Sequence, residues 1–292
     1  MRKEDALISV FDHGFLYGDG VYETLRSYGS HIFLMREHLR RLYRSADLIG
    51  LTIPLDEGAW PPILAEAMQR NHVGQTGRDA YLRITISRGP GDIGLDPALC
   101  PMPTIVVLVK PLIRQAEHLY QTGVDLVTAT IRRNHPSALS PQIKSLNFLN
   151  NILAKRDAIQ AKAFDAIMLN PDGVLAECTT SNLFLVRGGR LLTPSIDCGI
   201  LDGLTRNLVL QLARRDGIES EEGRFLPTLL REAEECFLTN TSSEILPVRS
   251  VDGAHLPSSS PGPVTARLRR LFQTYIAALP DVDAQPHNGL IH

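Results

Sequence analysis

Apolar and polar positions in the first 110 residues predict the first helix and the first strands. Residues 81–87 (YLRITIS) alternate apolar and polar side chains and include β-branched residues, which is typical of a strand. Residues 104–109 (TIVVLV) form a short apolar run, which favours a buried strand over a helix. Residues 61–72 start with two prolines, which the first turn of a helix tolerates, so we expect a helix there.

The later part of the chain carries a stronger periodic signal. Apolar residues recur every three or four positions over 146–163, which predicts a helix. The other expected elements are strands over 124–131 and across 165–194 with a hairpin at Gly188–Gly189, helices over 203–217, 227–235 and 263–279, and two strands around the polar turn 241–243. We expect residues 281–292 to form a loose tail.

Helices and strands mix in both halves without strict βαβ alternation. This pattern indicates an α/β class in the mixed α+β sense, arranged as two domains. The polar stretch after Lys110 and Pro111 is the candidate connection. We therefore expect a small N-terminal domain over 1–110, an interdomain loop over 111–120 and a larger domain over 121–292.

Composition removes several classes of function. The 292 residues include 30 basic and 32 acidic side chains, a net charge of −2, so there is no basic excess for binding nucleic acid. The sequence has no apolar run of about 18 residues, which argues against a membrane span. The first ten residues contain no apolar segment of signal-peptide length, so we expect a cytoplasmic protein. The cysteines are not spaced as metal ligands, and we expect no metal.

Two glycine-containing segments are candidate phosphate loops. Residues 89–94 fit G-x-G-x-x-G after a strand, but three prolines at 97–103 prevent the helix that a dinucleotide fold needs. Residues 199–206 lead directly into a predicted helix, where backbone N–H groups and Thr205 could bind phosphate. The alternative is an ordinary helix start with Thr205 near its cap.

Two charged residues lie in apolar surroundings. Lys144 is flanked by Ile143 and Leu146, and desolvation would lower its pKa and make it a nucleophile. The alternative is an exposed lysine beside a helix. Glu177 lies in a strand of apolar and small residues, where a carboxylate needs a partner. That partner is either a protonated cofactor ring nitrogen or one of the many arginines.

Motifs over nearly the whole chain resemble one family. They are FDHGFLYGDGVYETLR, EHLRRL, RGPGDIGLDP, KSLNFLNNILAK, AECTTSNLF, GLTRN and LTNTSSEILPV, in this order. In this order they resemble the class IV aminotransferases, which use pyridoxal 5′-phosphate, and most of all the branched-chain enzymes. The resemblance implies a two-domain fold type IV structure, like that of D-amino-acid aminotransferases.

The resemblance also implies roles for individual residues. Lys144 matches the lysine that binds the cofactor and later moves a proton, and Glu177 matches the acid that pairs with the pyridine nitrogen. The implied phosphate ligands are Arg41, Leu204, Thr205 and Thr241, and the amides of Thr241 and Ser242 match a turn that grips the substrate carboxylate. The implied substrate-pocket side chains are Tyr17, Tyr22, Tyr81 and Arg83, of which Arg83 either anchors the distal carboxylate of glutamate or forms only a sheet-face salt bridge.

The implied reaction is ping-pong transfer of an amino group from branched-chain or aliphatic L-amino acids to a 2-keto acid, 2-oxoglutarate. The implied assembly is a homodimer or a multiple of dimers with pocket residues lent across the interface. Phe148 replaces the tyrosine of many branched-chain relatives, and the turn Thr241–Ser243 replaces smaller residues. A D-amino-acid or (R)-amine transaminase and an aminodeoxychorismate-type lyase therefore stay open as alternatives.

Overall fold

A computed structural model describes residues 3–74 and 78–279 of the chain. Its secondary structure falls into two sheets with helices packed against them. Among the described residues, every helix lacks the length or the apolar character needed to cross a membrane. The expectation for the tail 281–292 falls outside the described residues.

The first sheet has four antiparallel strands in the order β2-β1-β3-β4. Its elements are α1 (His13–Tyr17), β1 (Gly20–Tyr28), β2 (His31–Ile32), α2 (Met35–Leu48), α3 (Trp60–Arg70), β3 (Ala80–Ser87) and β4 (Thr104–Pro111). Alternate residues of β3 are buried, as its sequence pattern predicts. Leu82 and Ile84 of this strand pack in one core with Leu42 of α2 and Leu64 of α3.

The second sheet has nine strands. Eight follow the order β10-β9-β8-β11-β12-β5-β6-β7, and β13 pairs with β12. The elements are α4 (Glu117–Thr122), β5 (Val124–Thr128), α5 (Leu149–Gln160), β6 (Asp165–Leu169), β7 (Leu175–Cys178), β8 (Asn182–Arg187), β9 (Arg190–Pro194), α6 (Leu204–Arg215), β10 (Ser220–Gly223), α7 (Leu229–Glu232), β11 (Glu235–Asn240), β12 (Glu244–Val251), β13 (Ala254–His255) and α8 (Pro263–Ala277). Parallel pairs join β9 to β10, β5 to β12 and β5 to β6, so the sheet is mixed.

Two predicted elements differ from the observed ones because strand pairing intervenes. The helix predicted over 146–163 begins only at Leu149, since Leu146 donates its N–H to the carbonyl of Gly20 in β1. The helix predicted over 227–235 shrinks to α7, because Glu234 donates to Val186 and β11 begins at Glu235.

Two further predictions concerned the segment around residue 110. The strand predicted as buried is β4, which lies at the edge of its sheet and leaves Leu108 45% exposed. The expected loop over 111–120 contains the first residues of α4. One sheet ends at Pro111 and the next begins at Val124, and we propose this segment as the link between two domains.

Candidate active site

A cleft that opens to solvent is bordered by residues that come from both sheets. Among its lining residues are seven of the residues to which the resemblance gives a cofactor or substrate role, namely Tyr22, Arg41, Lys144, Glu177, Leu204, Thr205 and Thr241.

Lys144 is placed by backbone hydrogen bonds to β1 of the first sheet. Its carbonyl accepts the N–H of Tyr22 at 2.9 Å, and the next residue forms an isolated β-bridge with Val21. Its own N–H donates to the hydroxyl of Ser45 in α2 at 3.2 Å. These contacts put the Lys144 ammonium within hydrogen-bonding reach of Tyr22, and Nζ donates to the Tyr22 hydroxyl at 3.1 Å.

Burial alters the acidity of both partners in this hydrogen bond. Desolvation, helped by the positive charge of Arg41, lowers the pKa of Lys144 to about 8. The direction of this change is the one that the apolar flanks of Lys144 predict. Desolvation also raises the pKa of the Tyr22 phenol well above its ordinary value. Near neutral pH the phenol therefore keeps its proton, while a fraction of Lys144 is the neutral amine.

Glu177 lies in strand β7 and borders the cleft, and its carboxylate already has hydrogen-bond partners. Oε1 accepts from Nη2 of Arg133 at 2.7 Å, and Oε2 accepts from the N–H of Leu201 at 3.0 Å and the amide of Asn182 at 3.3 Å. The salt bridge that the sequence left open as an alternative is therefore present. A carboxylate has about four lone-pair sites, so one stays available for a donor in the cleft.

The start of helix α6 forms another part of the cleft wall. Gly203, Leu204 and Thr205 border the cleft, and among the described residues no side chain caps the helix at Gly203. The first N–H groups of this helix therefore keep their capacity to bind an anion. A side chain at position 203 would overlap the amide oxygen of Asn182, so glycine is needed for this approach.

Arg41 borders the same cleft from α2. Its guanidinium donates through Nη1 to the carbonyl of Asp202 at 2.8 Å, just before α6 begins. It also makes a two-point ion pair with the buried Glu23 of β1, with Nε–Oε1 at 2.7 Å and Nη2–Oε2 at 3.0 Å. Arg41 thus connects the first sheet to the helix start.

The remaining predicted substrate residues lie outside the cleft of this chain. The Tyr17 hydroxyl accepts the N–H of Gly94 at 3.2 Å, which docks the 89–94 loop onto α1. The Tyr81 ring packs beside the Lys110 ammonium. The Arg83 guanidinium stacks over the Tyr22 ring at 3.9 Å, and the Ser242 carbonyl accepts from Arg26 at 3.3 Å. A role for these four residues in substrate binding stays a prediction.

Sequence reasoning missed Glu23, Arg133 and Asn182. Glu23 stands within the motif DGVYETLR, where its position in an apolar strand is the only signal. Arg133 is one of 25 arginines, and its partner Glu177 is 44 positions away. Neither spacing nor composition distinguishes such residues from surface charges.

The cleft combines a lysine of lowered pKa, a buried carboxylate and a helix start suited to an anion. Comparison with known proteins identifies the family of the chain. A family model described as amino-transferase class IV matches residues 20–251. The chain belongs to this family. As a class IV aminotransferase it has the fold type IV architecture that the resemblance implies.

Two curated relatives of this class IV aminotransferase differ in their named substrates. A protein of Methanocaldococcus jannaschii named "Putative branched-chain-amino-acid aminotransferase" is 39% identical over 93% of this chain and 92% of its own length. The D-alanine aminotransferase of Bacillus licheniformis is 34% identical over 94% of each chain.

Solved structures agree on the architecture. The Escherichia coli branched-chain amino acid aminotransferase superposes with a TM-score of 0.91 at 28% identity, covering 97% of this chain and 94% of its own. The branched-chain aminotransferase of the archaeon Thermoproteus uzoniensis, solved with norvaline, has a TM-score of 0.84 at 30% identity and covers 94% of this chain and 91% of its own. Another solved branched-chain enzyme is complexed with N-(5′-phosphopyridoxyl)-L-glutamate. Class IV aminotransferases use pyridoxal 5′-phosphate.

The donor set of the cleft fits this cofactor. Arg41 and the uncapped start of α6 supply N–H groups suited to a phosphate. Glu177 keeps acceptor capacity that suits a protonated ring nitrogen, and Lys144 offers an amine of the kind that an aldehyde requires. The residues present can therefore hold the cofactor's phosphate, ring and aldehyde.

Proposed function

We propose that this enzyme transfers the amino group of branched-chain and other aliphatic L-amino acids to 2-oxoglutarate by a ping-pong mechanism. The observation that carries the proposal is Lys144, whose amine has a pKa lowered to about 8 and is held by Tyr22 inside the cleft. A neutral amine at this place can act both as nucleophile and as proton carrier.

Each residue has a defined task in the proposed reaction. Lys144 Nζ takes the proton from the Cα of the donor amino acid. In the second half-reaction it gives a proton to the Cα of the acceptor. Tyr22 stays protonated and orients the Lys144 amine through their 3.1 Å hydrogen bond. Arg133 holds the Glu177 carboxylate in place at 2.7 Å. When bound, pyridoxal 5′-phosphate supplies the electron sink for the charge that develops at Cα.

The cleft wall supports an aliphatic donor. Leu139, Pro141, Ile143 and Phe148 border the cleft, and they offer apolar contact to a leucine or valine side chain. The branched-chain names of the Methanocaldococcus jannaschii relative and of the Escherichia coli structure point the same way. The acceptor 2-oxoglutarate and the cytoplasmic location stay predictions.

A D-amino-acid transaminase is the second candidate. The D-alanine aminotransferase of Bacillus licheniformis aligns with 94% of this chain. Phe148 and the turn Thr241–Ser243 also depart from many branched-chain enzymes. Phe148 and Thr241 both border the cleft, so these departures lie where cofactor and substrate would bind.

The visible absorption spectrum of the cofactor-loaded enzyme separates the candidates. We expect L-leucine to deplete the band of the lysine-bound cofactor and addition of 2-oxoglutarate to restore it. D-alanine, added to a separate aliquot, should leave the band unchanged. Depletion by D-alanine alone would replace the proposal with the D-amino-acid alternative. A band that neither donor changes would point to the lyase or to an amine substrate.

We also propose a homodimer. Phe11, Phe15, Ile93 and Leu95 are between 52% and 83% exposed, and hydrogen bonds join the 89–94 loop to the N-terminal segment that carries the two phenylalanines. We call this set the N-terminal apolar surface. Such apolar exposure is costly for a monomer and is suited to an interface with a second copy.

A further inference from the structure

Glu23 is a fully buried carboxylate behind the cleft wall, and neither the sequence signals nor the proposed reaction gives it a task. It lies on β1 next to Tyr22, and none of its surface is exposed. Its Oε1 accepts from Arg41 Nε at 2.7 Å, and its Oε2 accepts from Arg41 Nη2 at 3.0 Å and from His38 Nδ1 at 2.7 Å. A buried carboxylate with this many partners is held in one orientation.

The two-point ion pair fixes which N–H groups of Arg41 face outward. A guanidinium carries five N–H donors in a planar fork. Among the described residues, Glu23 engages the Nε proton and one Nη2 proton of Arg41, and the Asp202 carbonyl engages one Nη1 proton. One donor on each terminal nitrogen is left over, and Arg41 borders the cleft. This pair of donors matches two oxygens of a phosphate.

His38 completes the arrangement from the same helix as Arg41. Desolvation lowers the pKa of His38, and the positive charges of Arg41 and Lys144 lower it further, although the Glu23 carboxylate raises it. A neutral His38 donates its Nδ1 proton and adds no positive charge beside Arg41. Arg41 and Glu23 then form an ion pair of zero net charge. The direction of the free Arg41 N–H donors, more than the charge of the pair, would select the ligand.

We propose that Glu23 is a positioning residue, which orients the Arg41 guanidinium so that its two spare N–H donors meet the cofactor phosphate. This inference rests on the proposed role of Arg41 as a phosphate ligand. Glu23 itself touches neither the substrate nor the cofactor in this proposal.

The test compares two probes that differ by the phosphate alone. Apo-enzyme is titrated with pyridoxal 5′-phosphate and, separately, with pyridoxal, and a dissociation constant is measured for each from absorbance. The ratio of the two constants measures the contribution of the phosphate. We expect Glu23→Gln to weaken binding of pyridoxal 5′-phosphate by about 10-fold to 100-fold, the scale known for residues that orient the ligands of a metal, with pyridoxal nearly unchanged. A purely structural role would weaken both probes alike.

A double-mutant cycle makes the test specific to Arg41. Arg41→Gln should reduce the phosphate contribution, and adding Glu23→Gln to that variant should cause no further loss, because Glu23 acts through Arg41. Glu235→Gln is the matched control, since Glu235 is a buried carboxylate that instead binds Thr265 at the start of α8. For this control variant, the ratio of the dissociation constants for pyridoxal 5′-phosphate and pyridoxal should equal that of the wild type.

Each result decides a different claim. If wild-type enzyme binds both probes equally, or if Arg41→Gln leaves the ratio intact, the phosphate role of Arg41 is wrong. If Arg41→Gln lowers the ratio and Glu23→Gln does not, the inference about Glu23 is wrong and the proposed function stands. Loss of Glu23 leaves a buried guanidinium unpaired, so Glu23→Gln could fail to fold. Glu23→Asp keeps the charge with a shorter reach, and the same fall in the ratio is expected from it.

Discussion

At the scale of single residues, the chemistry of the site depends on groups that burial has shifted from their ordinary state. Lys144 is made a weaker base by desolvation and by Arg41, and Tyr22 is made a weaker acid by desolvation. Their hydrogen bond therefore joins an amine that loses its proton easily to a phenol that keeps it. Three predictions belong to this scale.

The first concerns Lys144 itself. We expect Lys144→Ala to lose the visible band of the lysine-bound cofactor and to reduce transaminase turnover by about 10²-fold to 10⁴-fold, because it removes the group that carries the proton. Lys110→Ala is the matched control, since Lys110 lies exposed on the edge strand β4. Turnover that survived in the Lys144 variant would refute the assignment.

The second concerns pH. Because the folded-state pKa of Lys144 is about 8 and its ordinary value is 10.5, the rate at which apo-enzyme binds pyridoxal covalently should rise through pH 8. Below this pH the ammonium dominates and cannot attack an aldehyde. Arg41→Gln removes a neighbouring positive charge, so the inflection should move to higher pH. An inflection near 10 in the wild-type protein would contradict the burial of the amine.

The third concerns Arg83, which stacks over Tyr22 outside the cleft. If Arg83 anchors the distal carboxylate of glutamate, Arg83→Ala should raise the KM for 2-oxoglutarate by about 10-fold, the effect of losing a charged hydrogen bond, and leave that for leucine nearly unchanged. Steady-state kinetics with both substrates measures the split. Equal losses would mean that Arg83 supports only the Tyr22 ring.

At the scale of elements, strand pairing decides where the functional side chains stand. The sequence predicts β3 and α6 closely, because each buries one side with a clear period. It cannot predict that Leu146 pairs with Gly20, since the pattern of 146–148 is as apolar as the helix that follows. It also misses Arg133 and Glu23, because their partners are distant in sequence or lie in another element. Lys144 and Glu177 stood out because each is a charge among apolar neighbours.

The start of α6 gives a prediction at this scale. Gly203→Ala should destabilise the fold by about 1–3 kcal/mol and weaken pyridoxal 5′-phosphate binding, because the added methyl group overlaps the Asn182 amide. Thermal unfolding and cofactor titration measure the two effects. Gly58→Ala is the control, since a methyl group there meets nothing within 4 Å. Equal behaviour of the two variants would show that Asn182 can move aside without cost.

At the scale of the whole molecule, the N-terminal apolar surface predicts assembly. Phe15→Glu places a charge on a side chain that is 72% exposed, so the fold should tolerate it while the proposed interface should not. Sedimentation should report a dimer for the wild type and a monomer for the variant. A matched change at Leu226, which is 60% exposed outside this surface, should leave the dimer intact. A dimeric Phe15 variant would place the interface elsewhere.

The pairing of residues 144–146 with β1 has a consequence for how the enzyme comes into being. The position of the Lys144 amine is set by hydrogen bonds to the first sheet, whereas Glu177 and helix α6 belong to the second sheet and its packing. Neither sheet folded alone contains a site, so cofactor capture should be among the last events of refolding, after most backbone structure has returned. Gentle heating that parts the sheets should likewise release the cofactor while much of the circular dichroism of the protein persists.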